Sequence, residues 1–228
     1  MAGERDLWVF AYGSLMWRPG FEPEETVHAR LVGWRRSFCI YSRFHRGSPR
    51  RPGLVLGLDR GGVCEGIAFR VGAGNARDTL RYLREREQVG SVYREAFVPV
   101  TLLSGAHAEV MALAFLVERA HPSYAGQLSL AAQAHLVRGG VGRSGNNIDY
   151  LASTLAHLKQ LGIRERELER LQSVVGPFAA RGPGDRHTRA SAAAMVRVFG
   201  RLPAEVPPVK PDQVHRFAYR SVLAARDE

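Results

Sequence analysis

The residues best placed to do chemistry fall in two stretches. In the first, the apolar run Trp8-Val-Phe-Ala-Tyr12 reads as a buried strand that breaks at Gly13-Ser14, where the chain turns. A turn of that kind presents backbone N–H groups that no strand or helix claims, and such a concavity receives an anion or a developing oxyanion. By pattern alone it is equally an ordinary tight turn. In the second stretch the spacing predicts a helix over 75–88 with Asn75 as its cap. At about 100° per residue, Ala76, Leu80, Leu83 and Glu87 share one face, whereas Glu85 falls about 140° from Leu80, beside Asp78 and Arg81. Glu87 therefore ends an apolar stripe, where desolvation moves a carboxyl toward the pKa a general base needs. The competing reading is a helix-end glutamate paired with Arg84 or Arg86.

Other patterns are weaker. Gly140-Val-Gly-Arg-Ser-Gly145, with Glu165 about 20 residues on, matches a dinucleotide-binding fingerprint. That fingerprint requires a preceding strand, and the segment before it is helical in pattern, so a glycine-rich helix–helix connection is expected. Ser14, between Gly13 and Leu15, lacks the flanking glycines of a hydrolase elbow. The eight histidines form no ligand spacing, and Cys39 and Cys64 stand apart in apolar contexts. No metal or cofactor is expected, and both cysteines read as buried thiols of a cytoplasmic protein.

These residues need a frame. Strands are expected at Trp8–Tyr12, at Leu54–Leu58 and Cys64–Val71 as a hairpin around Asp59-Arg-Gly-Gly, and at Tyr93–Leu103 and Glu109–Glu118. Helices follow over Leu128–Val137, Asn147–Leu161 and Glu165–Val174, with Asn146 or Asn147 capping the second. Strands with one inserted helix, then helices, indicate an α+β fold whose mixed sheet closes toward a barrel. The chain has 228 residues, enough for a self-sufficient core. Its longest apolar stretch, Val110–Val117, is too short to span a bilayer, and the first residues lack a secretory cleavage pattern. Residues 5–178 read as one catalytic domain and 179–228 as a basic, Pro- and Arg-containing extension. The net charge of +10 raises a nucleic-acid partner, but arginines alternate with acids, as in Arg84-Glu85-Arg86-Glu87, in the manner of a solvated helix face.

The stretch Ala11-Tyr-Gly-Ser-Leu-Met-Trp-Arg-Pro-Gly-Phe21 closely resembles the signature of the ChaC-like γ-glutamylcyclotransferase family, a strand ending in Gly-Tyr-Gly-Ser-Leu-(Ile/Val)-Trp and a basic residue. Ala11 and Met16 are mild departures. Gly33-Trp-Arg-Arg-Ser-Phe38, Leu83-Arg-Glu-Arg-Glu87 with Tyr93 beyond it, and Ser144-Gly-Asn-Asn-Ile-Asp-Tyr-Leu151 resemble three further family segments; Gly90-Ser91 replaces a Thr-Gly or Gly-Gly pair. The resemblance covers about 7–178. It implies cleavage of glutathione to 5-oxoproline and cysteinylglycine, with the γ-glutamyl amine closing on its own γ-carbonyl. It also implies that Glu87 moves the proton and that the loop Ala11, Tyr12, Gly13, Ser14, Leu15 and Met16 binds the γ-glutamyl group. Arg36, or else Arg35, would grip a carboxylate, and Tyr150 would orient the substrate or simply pack in the core. Two rival readings stand beside it: the same lactam chemistry on other γ-glutamyl amino acids or amines, and a basic nucleic-acid-binding module. Oligomeric state is not legible.

Overall fold

The computed structural model describes residues 5–87, 92–104 and 107–176. The expected extension over 179–228 and the Gly90-Ser91 pair therefore lie outside the described residues. Strand β1 (Leu7–Ala11) pairs antiparallel with the C-terminal end of β3 (Gly53–Val71) and parallel with β5 (Glu109–Val117). Strand β2 (Glu25–Ser42) runs antiparallel to β3 along most of its length and meets β4 (Tyr93–Leu102) at Ala29 and Arg30. Strand β4 pairs antiparallel with β5 from Tyr93–Val117 to Thr101–Glu109, and a Leu58–Leu116 bridge returns β3 to β5. The result is a closed, mixed five-stranded barrel. Helix α1 (Ala73–Glu87) is inserted between β3 and β4; α2 (Leu130–Gly139), α3 (Asn147–Gln160) and α4 (Arg166–Val175) follow the barrel. The α+β architecture is the expected one.

The core follows from alternation in the strands and helical spacing outside them. Val9, Leu31, Leu58, Leu113 and Leu116 are buried in the core, while Leu168, Leu171 and Val175 give α4 one apolar face. None of the described helices is long and apolar enough to cross a membrane.

Three local expectations change. The hairpin around Asp59-Arg-Gly-Gly does not exist, because Gly53–Val71 is one strand. Gly61 (φ 95°) and Gly62 (φ 78°) lie opposite Gly33 (φ 87°), where the β2–β3 register shifts, so both strands bend together at a bulge without losing their pairing. Asp59 is interior: its carboxylate accepts from Arg119 Nε at 2.7 Å, the Tyr124 hydroxyl at 3.1 Å and Arg35 Nη2 at 3.2 Å. Strand β2 itself is not among the expected elements, although buried Val27, Ala29 and Leu31 alternate there with exposed Thr26, His28 and Arg30.

Asn75 does not cap α1. The helix starts at Ala73, whose N–H donates to Asp6 Oδ1 at 3.1 Å, so the cap comes from the residue just before β1. The glycine-rich segment after α2 is a helix–helix connection, a ribbon of Val141–Gly142 against Gly145–Asn146. Asn146 caps α3 by accepting from Asp149 N at 2.7 Å. Asn147 works differently. It is fully buried, and its side-chain amide accepts from Leu54 N at 2.6 Å and donates to Leu54 O at 2.7 Å. It thus serves as a strand partner where β3 begins.

Candidate active site

After β1 the chain leaves the barrel at Tyr12 and forms a single 3-10 turn, Ser14–Met16. Met16 N and Arg18 N donate back to Gly13 O and Ser14 O, each at 2.9 Å. So short a helix leaves its leading N–H groups without internal partners. Those of Gly13, Ser14 and Leu15 find no acceptor among the described residues.

Tyr12, Gly13, Ser14 and Leu15 line part of a cleft that opens to solvent. Glu87, Leu56, Tyr93, Phe115 and Tyr150 complete it. Glu87 reaches the cleft from the last turn of α1, Tyr93 from the start of β4 and Tyr150 from the first turn of α3. Barrel closure brings these three segments of the chain together.

Burial pushes the Glu87 carboxyl above its ordinary value, and the Arg86 guanidinium, whose Nε lies 3.1 Å from Glu87 Oε1, pulls it back. The negative end of the α1 dipole acts in the same direction as burial. Tyr12 and Tyr93 are held well above the usual phenol value, and Tyr150 is pushed up to about 12, by burial first and the Glu87 charge among the lesser causes. All three are neutral near pH 7. The Tyr93 hydroxyl donates to Leu56 O at 2.7 Å, which fixes its ring against the cleft wall.

Three elements fasten the turn. From α1, Arg86 donates to Ser14 Oγ (3.1 Å), Arg18 O (2.6 Å) and the Tyr82 hydroxyl (2.9 Å). From β2, Arg36 Nε donates to Tyr12 O at 2.5 Å. From α3, His157 stacks on Trp17 with ring centroids 4.3 Å apart. Arg86 therefore spans both halves of the site, touching the acid and the amide turn at once.

Of the residues expected at the site, Tyr12, Gly13, Ser14, Leu15, Glu87 and Tyr150 converge on the cleft. Ala11 and Met16 do not line it and are buried on either side of the turn. Arg36 does not line it either. Its guanidinium, 2% exposed as a residue, is engaged by Tyr12 O, Glu65 O and the Glu165 carboxylate, so it buttresses the turn from behind instead of gripping a substrate. Arg35 is held by Asp59 and Arg60 O. Glu85 is exposed on the opposite face of α1, as its helical angle dictates. Two further residues belong to the site: Tyr93, to which sequence reasoning gives no role, and Arg86, which it offers only as an ion-pair partner of Glu87, a pair the structure does contain. Tyr93 sits in a segment whose spacing draws attention to it, whereas the Arg86 bonds depend on a loop about 70 residues away.

A closed mixed barrel that sets a partly dehydrated acid and an open turn of amides in one cleft can both move a proton and hold an anion or a developing oxyanion. The chain belongs to the ChaC-like protein family, whose sequence profile matches residues 7–177. The glutathione-specific γ-glutamylcyclotransferase of Escherichia coli (strain K12) is 33% identical over 168 residues, covering 74% of this chain and 72% of that protein. The human glutathione-specific γ-glutamylcyclotransferase 1 is 33% identical over 171 residues, covering 74% and 77%. In fold, the crystal structure of a γ-glutamyl cyclotransferase specific to glutathione from yeast superposes with a TM-score of 0.69 at 22% identity, covering 75% of this chain and 96% of that one.

Proposed function

We infer that this protein is a γ-glutamylcyclotransferase, a carbon–nitrogen lyase that converts glutathione to 5-oxoproline and cysteinylglycine in the cytoplasm. The observation that carries the reading is the placement of Glu87 across one cleft from the Tyr12–Leu15 turn. The relatives named above, covering most of this chain, favour glutathione over other γ-glutamyl compounds.

The reaction is intramolecular, so it needs no enzyme nucleophile, metal or cofactor. It needs a folded substrate, a proton route and charge stabilisation. The N–H groups of Gly13, Ser14 and Leu15 receive the α-carboxylate or the developing oxyanion of the γ-glutamyl group. The phenols of Tyr12, Tyr93 and Tyr150 wall off water while staying neutral. Glu87 takes a proton from the α-ammonium; the freed amine attacks the γ-carbonyl carbon and forms the lactam C–N bond. As the old amide C–N bond breaks, Glu87 returns a proton to the departing nitrogen of cysteinylglycine. One carboxyl with a raised pKa performs both transfers.

The test is direct. Incubation with glutathione should release 5-oxoproline and cysteinylglycine in equal amounts. Glu87→Gln should lower kcat by about 100- to 10,000-fold with an unchanged circular dichroism spectrum, while Glu85→Gln keeps its activity. An active Glu87→Gln protein would remove the acid from its assigned role.

A further inference from the structure

Three arginines around the site share one property, pairing with a carboxylate. Arg36 is paired with Glu165, Arg35 with Asp59 and Arg86 with Glu87. Arg46, in the segment between β2 and β3, departs from it. Although half-buried, it has no carboxylate within ion-pairing distance among the described residues. Its side chain makes one polar contact, from Nη1 to Asn146 O at 3.3 Å, leaving Nε and Nη2 without a protein acceptor among the described residues. Its guanidinium carbon stands 5.1 Å from the ring centroid of Tyr150, which lines the cleft. Its charge is felt by the Tyr150 hydroxyl, which it favours as phenolate.

The backbone beneath Arg46 is tightly held. Its N–H donates to Ser42 Oγ at 2.9 Å. Its carbonyl oxygen packs so closely on Gly53 and Gly140 that a Cβ on either would lie 2.1 or 2.5 Å from it. Two neighbouring segments are thus limited to glycine so that this residue can sit against them. A positioned, half-buried cation with open donors and no internal counter-ion is available to an anion from outside.

We propose that Arg46 receives the C-terminal carboxylate of the departing dipeptide and so sets the enzyme's preference for substrates that carry it. This rests on the cyclotransferase reading above. Where the amides of Gly13, Ser14 and Leu15 receive the α-carboxylate of the γ-glutamyl unit, one carboxylate of glutathione is left to be held elsewhere. The remaining carboxylate of glutathione lies two residues along the chain from the scissile bond, a reach of about 7 Å. Arg46 does not itself line the cleft; its guanidinium stands against the ring of Tyr150, which does, 5.1 Å from the ring centroid. The planar guanidinium, stacked on Tyr150, offers its edge for a bidentate contact.

The experiment compares glutathione with its C-terminal amide, in which that one carboxylate is neutral, on the full-length enzyme, Arg46→Met and Arg46→Lys. The unaltered enzyme should turn over the amide with a KM about 10- to 100-fold higher than for glutathione, at similar kcat. Arg46→Met should raise KM for glutathione to the same extent and leave the amide nearly unaffected, erasing the discrimination. Arg46→Lys should restore part of it, since a point charge lacks the fork. Two results would overturn the assignment: an unaltered enzyme indifferent to amidation, or an Arg46→Met protein impaired equally toward both substrates, which would make Arg46 a packing partner of Tyr150. Lactam from neither substrate with the unaltered enzyme would instead overturn the cyclotransferase reading, and this proposal with it.

Discussion

Glu87 is held between two opposing influences, and the balance between them sets its working range. Burial favours the neutral acid, whereas the Arg86 guanidinium favours the carboxylate. Replacing Arg86 by Met removes the second and leaves the first. The Glu87 pKa then rises further, so the acidic limb of the kcat/KM profile moves to higher pH. The same substitution removes the bonds to Ser14 Oγ and Arg18 O that hold the amide turn. At neutral pH kcat/KM should fall by about 10- to 100-fold, the worth of a lost charged hydrogen bond. Arg86→Lys keeps the charge but not the fork, so it should return the limb toward its original pH while recovering only part of the rate. A pH–rate profile of the three proteins checks this, and an unmoved limb would separate Arg86 from the acid.

Among the elements, the junction of β3 and α3 bears the most consequence for the site, because Tyr150 lies in the first turn of α3. Asn147 fixes that turn to the barrel by satisfying both backbone groups of Leu54. Asn147→Ala would leave a buried N–H and a buried C=O unpaired, at about 1–3 kcal/mol each. Denaturant unfolding should therefore show a loss of about 2–4 kcal/mol, with KM rising as Tyr150 loosens. A loss under about 0.5 kcal/mol would mean that water replaces the amide on Leu54. Asn146 presents the contrast: it caps the helix from a half-buried position, its side chain bonded to Asp149 of the same helix.

For the whole molecule, every described residue of the cleft falls between Tyr12 and Tyr150, and the family match ends at residue 177. Residues 5–178 are thus the catalytic unit proposed here, and 179–228 an extension to it. A chain ending at residue 178 should release lactam from glutathione within about twofold of the full-length rate, since every described cleft residue is retained; a tenfold loss would draw the extension into the active unit. Retention on immobilised nucleic acid should not distinguish the two chains at physiological salt. Salt-dependent retention that disappears on truncation would instead give the positive charge a nucleic-acid partner.

Period and turn chemistry make much of this legible in the primary structure. The angular position of Glu87 on α1, the turn after β1, the α+β order and the cap of α3 all depend on residues within a few positions of one another. The Leu83–Glu87 and Ala11–Phe21 motifs add the chemistry by resemblance. Interactions between distant segments are not legible. Whether Asp59 turns or lies inside depends on a bulge shared with Gly33 across two strands. Whether Arg36 faces substrate or buttresses Tyr12 depends on Glu165, 129 residues away. The unpaired state of Arg46 becomes visible only once the barrel has closed around Tyr150. Local sequence sets which way a side chain points from its own helix or strand; which partner it meets there is decided by how the barrel closes.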